Sequence, residues 1–265
     1  VSVRVARLFR YPLKSGRRIE VSEAEVRSTG LAGDREYMVV DPDGDLVTMR
    51  ELHALGLLDS ADVIAACERT GQIRPVRVWK WDGLGEDQGD AVADLVSRHA
   101  GTELRVVRFP DRHRRPTVLG GGETMYADGY PLLVASTRSL EEVNSWLDEP
   151  IPMERFRPSI VLDGLDRPFI EDDIASIAIN DVVIDLVTPC GRCVMTTIDQ
   201  DTAEKTGREP LRTLGQRRVL PQVGGGQEIM FAMNAVPRTI GTIRVGDEVT
   251  VTMHDRPYLE RVQQV

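Results

Sequence analysis

The chain is 265 residues long, 41% hydrophobic and 28% charged, with a formal net charge of -9; that length holds one large domain or two ordinary ones, and two are expected. The acidic surplus excludes a general nucleic-acid or anionic-membrane surface, so any anionic ligand must be met by a local cluster of Arg and Lys. The three cysteines, Cys67, Cys190 and Cys193, give no disulfide framework and point to a reducing compartment, with the cytoplasm as the expected location.

In chain order, residues 1–9 alternate β-branched with charged residues, which reads as a first strand and lacks the apolar core of a signal peptide. No stretch approaches the roughly 20 apolar residues of a membrane span, so no membrane anchor is expected. Residues 37–50 predict a β-hairpin, two β-prone runs around Pro42-Asp43-Gly44, whose residues supply the fixed and the positive φ of such turns. The same grammar recurs at 177–186 and 243–251. Helices are fewer. Val92, Leu95, Val96 and His99 share one face of a segment that Asp90 can cap and Gly101 can stop. Leu140, Val143 and Leu147, behind Ser136-Thr-Arg-Ser139, make a second helix. Over 110–122 apolar periodicity gives way to Gly, Pro and charge, which places a domain boundary at 118/119. Gly224-Gly225-Gly226 reads as a surface loop. The expected class is β-rich α+β, with strands arranged as barrels or packed sheets.

The densest chemical signal is Pro189-Cys190-Gly191-Arg192-Cys193-Val194, closing the apolar run 181–188. A thiolate at the end of a stiff strand beside an arginine is held in place and favoured over the thiol. Four readings are open. Structural zinc needs four ligands, whereas this chain has one Cys-x-x-Cys, and His53, His99, His113 and His254 lack zinc-finger spacing. A thioredoxin-type dithiol has the right spacing, but such motifs open a helix and residues 194–199 read as β-prone. Two buried cysteines acting as small hydrophobes are the third reading, which suits Cys67 best. A thiolate bound to a soft metal such as molybdenum is the fourth.

Taken together, Tyr11-Pro-Leu-Lys-Ser15, Gly33-Asp-Arg35, Thr48-Met-Arg50, Tyr126-Ala-Asp128, Arg155-Phe-Arg-Pro158, Phe169-Ile-Glu-Asp172, residues 189–199, Glu209-Pro-Leu211 and Ile243-Arg-Val-Gly-Asp247 resemble the MOSC-domain proteins. The nearest subgroup is the mitochondrial amidoxime-reducing component and its bacterial relatives. The resemblance spans nearly the whole chain. It implies a MOSC-associated N-terminal β-barrel domain over 1–118 and a MOSC β-barrel domain over 119–265, with molybdenum cofactor (Mo-molybdopterin) between them. It further implies that Cys193 is the metal ligand, that pterin dithiolene and oxo groups fill the other positions, and that Cys190 is a neighbour. Lys14, Ser15, Arg35, Arg157, Ser159 and Arg192 fall in motifs expected to meet the cofactor's phosphate and pterin. Asp128 is expected to orient substrate or water near the metal. Pyridoxal phosphate binding is a further family-level expectation.

Two departures qualify this. Ser159 stands where the family usually has Asn, a shorter side chain with fewer hydrogen-bonding atoms. No cysteine follows Cys193, so the iron-sulfur domain that some bacterial relatives append has no counterpart here. The resemblance therefore implies a reductase of small N-hydroxylated compounds that receives electrons from a separate protein. The alternatives are a carrier of the cofactor or its sulfur, and a thiol-disulfide protein.

Overall fold

The first strand sets the framework because its apolar residues serve two faces. In the computed structural model, which describes residues 2–205 and 207–262, β1 (Arg4–Arg10) buries Val5 and Leu8 on one side and Phe9 on the other. It is followed by β2 (Ile19–Val21), β3 (Glu23–Arg27) and β4 (Gly30–Leu31). A unit comprising β5 (Tyr37–Val40), α1 (Ser60–Ala65), β6 (Ile73–Val78), β7 (Trp81–Asp87), α2 (Asp90–Ala100) and β8 (Arg105–Arg108) comes next. The remainder supplies β9 (Leu132–Ser136), α3 (Thr137–Ser145), β10 (Ile160–Asp163), β11 (Ile174–Ile179) and β12 (Val182–Gly191). It closes with α4 (Leu211–Arg217), β13 (Val219–Pro221), β14 (Gln227–Pro237), β15 (Gly241–Arg244), β16 (Thr250–Met253) and α5 (Tyr258–Val262).

The fold is β-rich α+β, as expected. The large sheet runs β16-β11-β12-β14-β9-β10-β1-β2, with β13 added beside β14. Its pairs are antiparallel apart from β9 with β10. The N-terminal unit is a four-stranded antiparallel sheet, β5-β8-β7-β6, and β15-β3-β4 form a third small sheet. Strand alternation divides the core. In β5, Val39 packs with Val63, Val92 and Val96 of α1 and α2, whereas Met38 and Val40 face Val76, Val107 and Tyr126 on the opposite side. The large sheet is likewise covered on both faces, one holding Phe9 and Phe231 in a cluster with Val143 of α3. Arg4 to Leu8 of β1 register against Asp163 to Ile160 of β10, so strands from both sides of position 118 share one sheet.

Several local expectations are corrected. The turn at Asp41 forms, with Asp41 Oδ1 accepting from the backbone N–H of Asp43 and Asp45 at 3.0 and 2.9 Å. The returning arm is reduced to a single Val40–Leu46 bridge, because the chain turns again at Thr48, whose backbone N–H donates to Glu51 Oε2. Residues 177–186 do form the β11–β12 hairpin. Residues 243–251 do not: β15 pairs with β3, and β16 pairs with β11. Their turn is a corner between sheets, anchored by Ile243 in the core. Gly89 rather than Asp90 occupies the N-cap of α2, leaving Asp90 to pair with Arg105 at 3.0 Å. Ser136 caps α3 by accepting from Ser139 N–H, as its sequence suggests. Beyond Cys193 the chain makes a 3-10 turn over Val194–Thr197 instead of a strand; the hydroxyls of Thr196 and Thr197 donate back to the Cys193 and Val194 carbonyls at 3.0 and 2.7 Å, which competes with extended pairing.

Candidate functional site

Lys14, Ser15, Arg35, Asp128, Arg157, Ser159, Arg192 and Cys193 all line one cleft of about 340 Å³. Three of them hold unusual backbone. Ser15, Arg35 and Arg157 adopt φ of 67°, 46° and 54°, a region costing a residue with a Cβ roughly 1–2 kcal/mol. Backbone bonds keep them there: Arg35 N–H donates to Tyr11 O at 2.8 Å, Gly16 N–H to Leu13 O at 2.9 Å, and Arg157 N–H to Glu154 O at 3.0 Å. Such outliers gather where a site over-determines its geometry.

The guanidinium carbons of Arg35 and Arg157 lie 4.1 and 4.2 Å from the centre of the fully buried Tyr11 ring. Burial raises the Tyr11 phenol to about 12 and lowers Arg157 to about 10. Arg157 donates to Gln200 Oε1 at 2.8 Å and to Gly16 O at 3.0 Å. Arg35 pairs with Asp34 at 2.6 Å; burial raises the Asp34 carboxyl and Arg35 opposes that shift. Ser159 has no exposed surface, and its Oγ accepts from Leu133 N–H at 3.3 Å, so the shorter side chain is used to tie strand ends together.

Asp128 is aimed by Arg115, which donates to the carbonyls of Met125, Ala127 and Asp128 at 2.8, 2.5 and 2.8 Å. The seam read as a boundary thus carries a residue that shapes the cleft. The Asp128 carboxylate, 57% exposed, meets Lys14 Nζ at 2.5 Å and Arg50 Nη2 at 3.5 Å, and accepts from Trp79 Nε1–H at 3.0 Å. Enclosure by the cleft walls favours the neutral acid, but the Lys14 and Arg50 charges and the Trp79 donor outweigh it and hold the carboxyl well below its ordinary range. Burial lowers the Lys14 ammonium, with Asp128 opposing.

The two cysteines have different arginines. Arg192 Nη1 lies 3.1 Å from Cys190 Sγ, so the sequence neighbour serves Cys190; burial nevertheless raises that thiol, against the pull of Arg192. Cys193 Sγ instead receives Arg50 Nε and Nη2 at 3.4 and 3.3 Å. Both cysteines are free, as is Cys67, which packs at the edge of the helical core and is raised to about 12 by burial.

Among the described residues no group of three or more His, Cys, Asp or Glu side chains could hold a metal ion. One thiolate suits a metal that arrives with ligands of its own, not a bare ion. The cleft also carries unmet donors. Arg155 Nε and Arg192 Nε are buried without a hydrogen-bond partner, and both residues line the cleft. Orphaned guanidinium donors among the residues of a cysteine-bearing cleft fit an anionic group rich in acceptors.

The model of the MOSC N-terminal beta barrel domain matches residues 2–103, and that of the MOSC domain matches residues 121–250. Mitochondrial amidoxime-reducing component 1 of Homo sapiens is 32% identical over 276 residues, covering 92% of this chain and 82% of that protein. The chain belongs to the amidoxime-reducing-component family of MOSC proteins. Mitochondrial amidoxime reducing component 2 of Homo sapiens is another member, 30% identical over 278 residues, with 92% and 82% covered. The YuaD protein of Bacillus subtilis, a solved structure, aligns with a TM-score of 0.46 at 10% identity over 96% of this chain and 98% of that one. These relatives correct the expected location. The amidoxime-reducing components are mitochondrial by name, so the cytoplasmic expectation falls; sparse cysteines separate reducing from oxidising surroundings and cannot tell one reducing compartment from another. Pyridoxal phosphate binding finds no support among them. No helix among the described residues is long and apolar enough to cross a membrane.

Sequence reasoning gave no role to Arg50, Trp79, Arg115 or Arg155. Arg50 and Arg155 stood inside quoted motifs, and Arg115 lay in the basic run of the seam. Trp79 had a fainter signal, since no turn-forming residue separates Val78 from Trp81.

Proposed function

We propose that this cleft binds molybdenum cofactor through the Cys193 thiolate and that the protein reduces small N-hydroxylated compounds by removing oxygen. Family membership supports a molybdenum-cofactor-associated oxidoreductase role in general terms; the substrate class, the ligand and the residue roles are our reading. The observation that carries it is the Cys193 sulfur, held by Arg50, in a cleft lined by cations and by arginines with unmet donors. When bound, the cofactor supplies two-electron oxygen-atom chemistry, while the protein contributes binding, orientation and electrostatics. Lys14, Ser15, Arg35, Arg157 and Arg192 supply donors for phosphate and pterin. Ser159, whose oxygen already accepts from Leu133 N–H, has its hydroxyl hydrogen and one further lone pair to offer them. Arg50 steadies the Cys193 sulfur, and Asp128, held as an anion, accepts a substrate N–H. In this reading a separate redox protein delivers the electrons, which the choice of donor in the test below examines.

The test is molybdenum content by mass spectrometry with benzamidoxime turnover, supplied either with reduced nicotinamide alone or with reduced viologen dye. Loaded protein is expected to turn over with the dye alone. Cys193→Ser is expected to lose nearly all metal or turnover, and Cys190→Ser far less, because a hydroxyl is a poor substitute for thiolate at a soft metal. Full loading without turnover under either donor would replace this reading by that of a cofactor carrier.

A further inference from the structure

Trp79 and Lys80 close the β6–β7 hairpin, with Val78 registered against Trp81. Two-residue turns of this kind favour Gly, Asn or Asp where φ is positive, yet Trp79 sits at 57°. Core packing does not explain the choice. Trp79 is 43% exposed, and it is Trp81 that packs against the core of this sheet. A bulky residue kept in a disfavoured conformation at an exposed tip points to a use for its side chain.

Both fixed contacts of the indole lead into the cleft. Nε1–H donates to Asp128 Oδ1 at 3.0 Å, and the Arg50 guanidinium lies 4.4 Å from the ring centre, the same guanidinium that reaches Cys193 Sγ at 3.3 Å. The two oxygens of Asp128 differ. Oδ1 takes Lys14 and Trp79, whereas Oδ2 has only the 3.5 Å contact with Arg50. Oδ2 is therefore the oxygen with capacity for an incoming N–H. Arg50 lies over one face of the indole, and the 43% exposure of Trp79 leaves the other for the conjugated plane of a compound that donates a C–NH2 hydrogen to Oδ2.

We propose that Trp79 is a specificity-determining residue that selects flat, aryl-substituted N-hydroxylated substrates by stacking at the cleft mouth, an inference that rests on the reductase reading above. A phenyl group conjugated to the amidoxime extends the plane onto the ring, and a methyl group does not. Aromatic contacts of this kind favour offset stacking and add to the energy of simple burial.

The test compares kcat/KM for benzamidoxime and acetamidoxime in wild type, Trp79→Gly and Trp79→Phe, with molybdenum content and thermal unfolding measured for each. Glycine suits the positive φ, so the hairpin is expected to persist; Trp79→Asn serves as a second ringless variant if it does not. The benzamidoxime-to-acetamidoxime ratio is expected to fall about tenfold in the ringless variant, equivalent to about 1.4 kcal/mol, and to stay within about threefold of wild type in Trp79→Phe. An unchanged ratio in the ringless variant would overturn the proposal. So would an equal loss in Trp79→Phe, which would assign the effect to the Asp128 hydrogen bond. Calorimetric titration of oxidised, loaded protein with benzamidoxime separates this inference from the reductase reading. Binding that weakens about tenfold without the ring, in a protein that never turns over, would sink the reductase and keep the stacking site. No binding to wild type would sink the stacking site.

Discussion

At Cys193 the decisive neighbour is Arg50, 143 positions away in the chain, and it explains why the adjacent Arg192 proved a poor guide. Consecutive residues at a strand end point to opposite sides, so Arg192 met Cys190. Donors to a ligating sulfur tune and retain a metal. Arg50→Met is accordingly expected to weaken molybdenum retention by about 10–100-fold, read as metal content after dialysis; unchanged content would remove Arg50 from the site. A second prediction concerns Glu171, buried without exposed surface. Burial, then the Asp172 charge beside it, pushes its carboxyl from 4.5 up to about 7, against the Ser139 and Ser136 hydroxyls. Because the folded pKa is the higher one, the folded state holds this proton more tightly. Its contribution is complete below about pH 4.5 and is lost as pH rises through about 7, on the order of 3 kcal/mol in all. Glu171→Gln should therefore flatten the fall in urea-unfolding stability between pH 5 and 8, relative to wild type. Parallel curves would show that Glu171 does not titrate in that window.

At the scale of elements, Gly30 of β4 couples packing to the cleft. Its φ is 106°, and a Cβ there would stand 2.6 Å from Pro131 O, while Pro131 itself lines the cleft. Gly30→Ala is expected to cost about 2 kcal/mol or more, from backbone strain and the displaced carbonyl, and to lower cofactor loading in the protein that still folds. Urea unfolding and metal content check the two halves of that statement. Regular elements were the legible ones. Ser136 before α3 and Gly101 after α2 announced helix ends, since capping is chemistry local to a few residues. The β11–β12 hairpin was equally plain, because Asn180 tolerates the positive φ its tip requires. The corner at Gly246 was misread for the converse reason: its turn chemistry matches that of a hairpin, and only the distant partners β3 and β11 decide where each arm goes. The site residues were visible as ordered motifs, whereas their pairings depend on which side of a strand end each faces.

At the scale of the whole molecule, β1 covers the edge of β10, with Leu8 against Ile160 and Val5 against Leu162. A fragment of residues 119–265 would expose that edge together with its buried face, an arrangement prone to pairing with other chains. It is expected to aggregate or to lack fixed packing, as judged by near-ultraviolet circular dichroism and sedimentation; a soluble, cooperatively unfolding monomer would show that the first strands are dispensable. The same long-range pairing governs timing. Lys14 and Arg35 form one wall of the cleft, Asn234 on β14 belongs to another, and β15 must return to register Ile243 with Ala24 of β3. A ribosome delivers the first wall early and the last strands much later, and pairing across such a distance waits for both partners. Until Asn234 has emerged the cleft lacks part of its lining, so whatever group it takes enters after synthesis has passed that point, as a separate maturation step that competes with the lifetime of the empty protein.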